Sequence, residues 1–224
     1  MAIDKLVQIY PYFWGQNIST LMKNEITINP RAKGLIFDID GTICDTMPVH
    51  YIAWRQTAAE HGIVFTPENF VEVTGIPAFQ TSQFIKAKFK ADFDELEFTL
   101  LKEKRYEQNM HKAKPIEPVI NVIRANKGKL PMACGTGGSQ YLAWKTLEIA
   151  GVKDCFEHVV AAEDVINHKP FPDTFLKAAE LIGVQPSDCE VFEDGQLGLQ
   201  AAERAGMMSV DVTNFYEITI GQEL

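Results

Sequence analysis

The sequence predicts an α/β fold, a Rossmann-like doubly wound parallel sheet with an inserted all-helical cap, and three observations predict it. Short apolar runs alternate with segments of helical periodicity through the second half of the chain. Carboxylates, glycines and hydroxyls gather just beyond the ends of those runs. Between about Asp45 and Lys114, by contrast, only helical patterns occur. Strands that alternate with helices imply a parallel sheet covered on both faces, with ligands at the carboxyl ends of the strands.

The apolar runs at 34–37, 130–134, 158–162, 189–192 and 208–212 read as buried strands. Residues 141–150, 172–182 and 197–205 carry apolar side chains at three- and four-residue spacing, and Gly151, Gly183 and Gly206 follow them as helix stops. Within the helical insert the same spacing predicts helices at 49–61, 67–73, 79–89 and 93–110. Its borders read as hinges. Asp45 and Thr46 are suited to cap a helix that Pro48 helps to start, and Lys114-Pro115-Ile116-Glu117-Pro118 marks the return. The expected organisation is therefore an N-terminal extension over 1–33, a core built from 34–45 and 115–224, and a helical cap over 46–114 able to close on the strand ends. The aromatic cluster Tyr10, Tyr12, Phe13 and Trp14 makes the extension a packing arm.

Composition narrows the partners. A chain of 224 residues holds one well-buried core and a smaller module. Hydrophobic residues at 46% and charged residues at 23% are ordinary for a globular protein. A net charge of −9 argues against nucleic acid, whose binders present a basic face, and for a small-molecule partner. The sequence lacks the ~20 consecutive apolar residues of a membrane span, and the N-terminus does not read as an export signal. Cys44, Cys134, Cys155 and Cys189 are dispersed without a CxxC pair, which suits a reducing cytoplasm. Oligomeric state has no signature in the sequence.

Phe37-Asp38-Ile39-Asp40-Gly41-Thr42 is the sharpest signal. It places two carboxylates two residues apart beyond a buried strand, with a glycine to turn the chain. Phosphoryl transfer needs such a pair. One carboxylate attacks phosphorus and carries the phosphoryl group, while the second protonates the leaving oxygen and later activates water. Asp38 is the expected nucleophile and Asp40 the expected acid-base. Two anions facing an anionic substrate also demand positive charge, most simply Mg²⁺ together with a lysine.

The remaining strand ends supply candidates. Lys169, in His168-Lys169-Pro170-Phe171-Pro172-Asp173, follows the third core strand. Glu193-Asp194 follows the fourth, with Asp194 the expected metal ligand and Glu193 expected either to orient Lys169 or to contact a water on the metal. Cys134-Gly135-Thr136-Gly137-Gly138-Ser139 lies between a strand and a helix, so the Thr136 hydroxyl and backbone N–H groups around Gly137 are suited to phosphate oxygens. Cys44 and Cys134 have no histidine nearby in sequence and read as small packing residues. His50 and Trp54 are one helical turn apart and share a face.

Together these pieces resemble the haloacid dehalogenase superfamily, specifically its β-phosphoglucomutase-like branch of sugar-phosphate phosphatases and mutases, over about residues 34–212. The resemblance implies Mg²⁺ held by Asp38, the Asp40 backbone carbonyl and Asp194, with Thr136 and Lys169 on the phosphoryl group. It also implies that His50 and Trp54 lie near the sugar or the site of proton transfer. One departure matters. Mutases of this branch are expected to carry an arginine after a Gly-x-x step in the cap, and here Gly75-Ile76-Pro77-Ala78 puts alanine there. That removes a bidentate clamp for a second phosphate; Arg105 or Lys104 remains for the distal end of a substrate. The expectation is hydrolysis of a small sugar phosphate or sugar-acid phosphate, with β-phosphoglucomutase as the alternative. A phospho-signalling receiver is a distant third, because Asp40 and the large insert suit turnover and not a stored phosphate.

Overall fold

The computed structural model of the chain describes residues 25–216, so the aromatic cluster at Tyr10 to Trp14 lies outside the described residues. Among the described residues, five parallel strands form the central sheet: β1 (Gly34–Phe37), β4 (Met132–Gly135), β5 (His158–Val160), β6 (Cys189–Glu193) and β7 (Met208–Asp211), in the order β5-β4-β1-β6-β7. Strand order reverses around β1, and in such sheets the crevice at that reversal receives ligands.

Every residue of β1 is buried, as a central parallel strand requires. Leu35 and Phe37 point into one apolar cluster and Ile36 into another, because side chains alternate across a strand. Phe37 stacks on Phe192 at 4.6 Å and meets Phe156 edge-on at 5.8 Å. The first face is covered by α5 (Glu117–Asn126) and α6 (Gln140–Ile149), the second by α7 (Asp173–Leu181) and α8 (Gln196–Arg204). The glycines at 151, 183 and 206 end their helices with left-handed backbone, as their placement predicts.

The insert is helical throughout: α1 (Met47–Glu60), α2 (Pro67–Val73), α3 (Ala78–Phe89) and α4 (Glu95–Asn109). Thr66 caps α2 in a reciprocal box with Asn69, and Asp94 caps α4 by accepting from the Glu97 N–H at 2.8 Å. These helices share an apolar cluster that includes Tyr51, Trp54, Phe70, Ile85, Phe93 and Phe98. At the border, β2 (Cys44–Asp45) and β3 (Lys114–Pro115) pair antiparallel, so the two connecting segments are bound to each other.

Three details differ from the sequence analysis. Thr46 occupies the N-cap position of α1 but makes no side-chain bond to the helix. The predicted helix at 93–110 ends as a 3₁₀ turn over Met110–Lys112. Helix α5 begins within the stretch that reads as a hinge, because Pro118 stands in its first turn, where no intrahelical donor is needed, and Val119, Ile120, Val122 and Ile123 are buried. Residues of the N-terminal extension inside the described range pack on the sheet: the Asn29 N–H donates to Glu190 Oε2 at 2.8 Å, and Ile26 and Ile28 pack against the first cluster.

Candidate active site

Asp38 is the first residue beyond β1, and its N–H donates to the Phe192 carbonyl at 3.0 Å, extending the ladder to the strand end. Its carboxylate is buried. Lys169, from the loop between β5 and α7, donates to Asp38 Oδ1 at 2.6 Å and to Glu193 Oε2 at 2.7 Å. Glu193 Oε1 accepts the Gly195 N–H at 3.0 Å. Both oxygens of Glu193 are thus committed, one of them to orienting Lys169. Gly198 makes room for this: a Cβ there would lie 2.0 Å from Glu193 Oε2.

Asp194 stands beside the pair and accepts from the Thr42 hydroxyl at 3.1 Å. Gly41, with φ +86°, lets the turn approach so closely that an added Cβ would sit 2.3 Å from Asp194 Oδ2. Asp38, Glu193 and Asp194 offer carboxylate oxygens within 4.8 Å of one another. Burial, and then the Glu193 charge, push the Asp38 carboxyl up to about 8 in spite of Lys169. Burial and the same neighbours raise Asp194 well above the usual carboxylate range. Burial opposes the charge on Lys169, but Asp38 and Glu193 outweigh it and raise its pKa. Three carboxylates around one ammonium leave negative charge uncompensated. A hard divalent cation with oxygen ligands fits that donor set, and Mg²⁺ fits it well.

Asp40 serves a different surrounding. The turn after β1 is closed by the Gly41 N–H donating to the Cys44 carbonyl at 2.7 Å. It turns Asp40 toward the insert, where Tyr106 OH donates to Oδ1 at 3.3 Å and His50 Nε2 faces the same oxygen at 3.6 Å. Lys102 Nζ lies 3.1 Å from His50 Nδ1. Burial alone would raise the Asp40 pKa, but the surroundings supplied by His50, Thr46 and Lys102 outweigh it and hold the carboxyl below its usual value. In the metal-free protein the two acidic residues of the turn are therefore pushed in opposite directions, Asp38 toward its neutral form and Asp40 toward its carboxylate.

Thr136, buried beyond β4, donates its N–H to the Val160 carbonyl at 2.9 Å and accepts the Gly138 N–H on Oγ1 at 3.0 Å. A Cβ on Gly138 would lie 3.4 Å from both Thr136 Oγ1 and Asp40 Oδ2, so these atoms converge on one glycine. Gly137 is exposed and has open space where a Cβ would stand. Asp38, Asp40, Thr136, Lys169, Glu193 and Asp194 thus come together at the carboxyl edge of the sheet.

The insert residues divide. His50 faces Asp40, whereas Trp54 is buried in the helical cluster, stacked on Phe98 at 6.1 Å with the Lys102 ammonium 5.1 Å from its ring. Arg105 pairs with Glu60 on α1, and Lys104 is exposed. Cys44 and Cys134 are buried, with burial pushing the first thiol up to about 12 and the second well above its usual value, so both are packing residues and not nucleophiles. Lys102, Tyr106 and Gly198 are given no role by the sequence, and Thr42 is read only as part of the motif that holds Asp38 and Asp40. The signal for two of them is present: Lys102 interrupts the apolar stripe of α4 between Phe98 and Tyr106 at four-residue steps, and a cation inside a buried stripe calls for a partner.

This chain belongs to the haloacid dehalogenase-like hydrolases, whose family description it matches over residues 32–206. Among curated proteins it is 41% identical to the fructose-1-phosphate phosphatase YqaB of Escherichia coli, across 81% of this chain and 97% of that one. It is 29% identical to a β-phosphoglucomutase of Bacillus subtilis, across 80% and 83% of the two chains. Among solved structures, a β-phosphoglucomutase from Clostridium difficile superposes with a TM-score of 0.69 at 25% identity, covering 80% of this chain and 83% of that one. Family and fold match what the motifs imply, and the chain is an enzyme.

Proposed function

We propose that this protein is a Mg²⁺-dependent phosphatase acting on a small sugar phosphate through an aspartyl-phosphate on Asp38, with a ketohexose 1-phosphate such as fructose 1-phosphate as the first substrate to try. The observation that carries the reading is Lys169 bridging Asp38 and Glu193 beside Asp194 at the sheet edge. The substrate choice is supported by the 41% identity to the fructose-1-phosphate phosphatase.

In the proposed reaction Asp38 attacks phosphorus, the bond from phosphorus to the sugar oxygen breaks, and Asp40 gives that oxygen a proton. Asp40 then takes a proton from water as the water attacks phosphorus and the bond to Asp38 breaks, releasing inorganic phosphate. Thr136, the backbone around Gly137 and Lys169 bind the phosphoryl oxygens throughout. Mg²⁺, held by Asp38, the Asp40 carbonyl and Asp194, would supply electrostatic stabilisation of the transferring group. Residues 46–114 would act as the cap that excludes bulk water, with the β2 and β3 pair at its hinge. Arg105, bound to Glu60, would have to leave that partner to reach a substrate. A reducing, cytoplasmic setting is part of the proposal, and it accords with four cysteines that form no disulfide.

A mutase is the second reading, favoured by the likeness to the Bacillus subtilis β-phosphoglucomutase and opposed by Ala78 at the position expected to hold an arginine. The test is phosphate release, with and without Mg²⁺, from fructose 1-phosphate, hexose 6-phosphates and sugar-acid phosphates. β-Glucose 1-phosphate with a bisphosphate primer is assayed in parallel for isomerisation. Release from one or a few of these esters supports the phosphatase; isomerisation without release makes the protein a mutase.

A further inference from the structure

We propose that Tyr106 is a positioning residue that fixes which oxygen of Asp40 carries the catalytic proton, an inference that rests on the phosphatase reading above. One feature of Tyr106, its hydroxyl, exceeds what packing requires. Its side chain is 1% exposed, so its hydroxyl must find a partner inside the protein or cost several times thermal energy. That partner is Asp40 Oδ1 at 3.3 Å, contributed from a segment 66 residues away. Its ring also lies flat on His50, with centroids 4.0 Å apart and planes 13° from parallel, and the Lys102 ammonium is 5.2 Å from the ring centre. Phenylalanine would satisfy the stacking and the cation contact equally; only the hydroxyl reaches Asp40.

The consequence follows from the two oxygens of one carboxyl group. Oδ1 is engaged by Tyr106 OH and faced by His50 Nε2 at 3.6 Å. Oδ2 points to the other side, 3.4 Å from where a Cβ on Gly138 would stand and so toward Thr136. A phenol that donates to Oδ1 makes that oxygen the acceptor, so the proton of a neutral Asp40 resides on Oδ2. Rotation about the Cβ–Cγ bond would exchange the two oxygens, and Tyr106 opposes that rotation. When the bond from phosphorus to the sugar oxygen breaks, its electron pair goes to the sugar oxygen, which takes the proton from Oδ2. Asp40 is left as a carboxylate whose Oδ1 still accepts from Tyr106. The reverse transfer, from water to Oδ2, serves the second half of the reaction.

The experiment compares two leaving groups in single turnover with enzyme in excess. Fructose is a poor leaving group that needs the proton, whereas p-nitrophenol leaves with little help. Tyr106→Phe should slow fructose release from fructose 1-phosphate by roughly ten- to a hundredfold, a part of what a general acid supplies, with apparent substrate affinity unchanged. Release of p-nitrophenol from p-nitrophenyl phosphate should slow by less than about threefold, since little acid catalysis is lost there. Asp40→Asn should show the same selectivity in larger measure, and Tyr106→Leu, which also removes the ring, should slow both substrates. If Tyr106→Phe slows both substrates alike, or neither, Tyr106 is a packing residue and the inference is overturned. A wild-type enzyme that releases neither alcohol overturns the phosphatase reading itself, a result distinct from the first.

Discussion

Lys102 Nζ lies 3.1 Å from His50 Nδ1, and because an ammonium group can only donate, the proton of the neutral imidazole sits on Nε2, facing Asp40 Oδ1. The tautomer of a core-facing histidine is thereby set from α4. Burial, and then the Lys102 charge, lower the His50 pKa, while Asp40 opposes them. Replacing Lys102 with methionine keeps the bulk and removes the repelling charge. In Lys102→Met the His50 imidazole should therefore titrate at higher pH than in the wild type, as read from its ring nitrogens by NMR. Turnover should fall by about tenfold or more, because the second donor toward Asp40 is no longer fixed.

Gly198→Ala tests the seat of Glu193. The added Cβ would fall 2.0 Å from Oε2 of a side chain that is itself buried. Either Glu193 or α8 must move. Overpacking of this kind costs about 1–3 kcal/mol, measurable by urea unfolding. Because Glu193 Oε2 is also the acceptor for Lys169, turnover should fall further than stability alone explains.

Asp38→Asn and Asp40→Asn separate nucleophile from acid-base. Removing the nucleophile should cut phosphate release by roughly four orders of magnitude or more, while removing the acid-base should cost about 10²- to 10⁴-fold. Steady-state rates on a sugar phosphate check both, and substantial turnover by Asp38→Asn would contradict the assignment.

The crowded acids predict how stability depends on pH in metal-free protein. Asp38 has its folded pKa raised from 3.8 to about 8, so between those values the folded state binds the extra proton. Stability from this group is present at low pH and is lost as pH rises through about 8. Asp194 is shifted in the same direction. His50, shifted down, acts only below its usual 6.5 and does not oppose this above neutrality. The melting temperature should therefore fall from pH 7 to 9 without metal. Mg²⁺ at a hundred times its dissociation constant should restore roughly 2–3 kcal/mol.

The parts of the site legible in the sequence are those whose chemistry is local. Asp38 and Asp40 are read directly because motif, strand end and glycine turn are contiguous. Thr136, Lys169, Glu193 and Asp194 each sit within a few residues or one loop of a strand end, so alternation of strand and helix is enough to gather them. Lys102 and Tyr106 are different. Lys102 reaches His50 and Tyr106 reaches Asp40 only because α4 packs on α1, and the rotation of α4 about its own axis decides whether Lys102 or Arg105 faces inward. Sequence spacing narrows that choice but packing settles it. Helix α5 is obscured for another reason: Pro115 and Pro118 punctuate the return from the insert, and the same prolines that signal a hinge also start a helix. Trp54 shares a face with His50 as its spacing predicts, yet one turn along α1 is far enough to place it in the helical cluster.

Whether Asp38 carries the phosphoryl group is tested by rapid acid quenching during turnover of fructose 1-phosphate, followed by peptide mass spectrometry. One added phosphoryl mass is expected on the peptide containing Asp38, absent when Mg²⁺ is withheld. Phosphate release that proceeds with an unmodified Asp38 peptide at every quench time, or with the label on another residue, would contradict it.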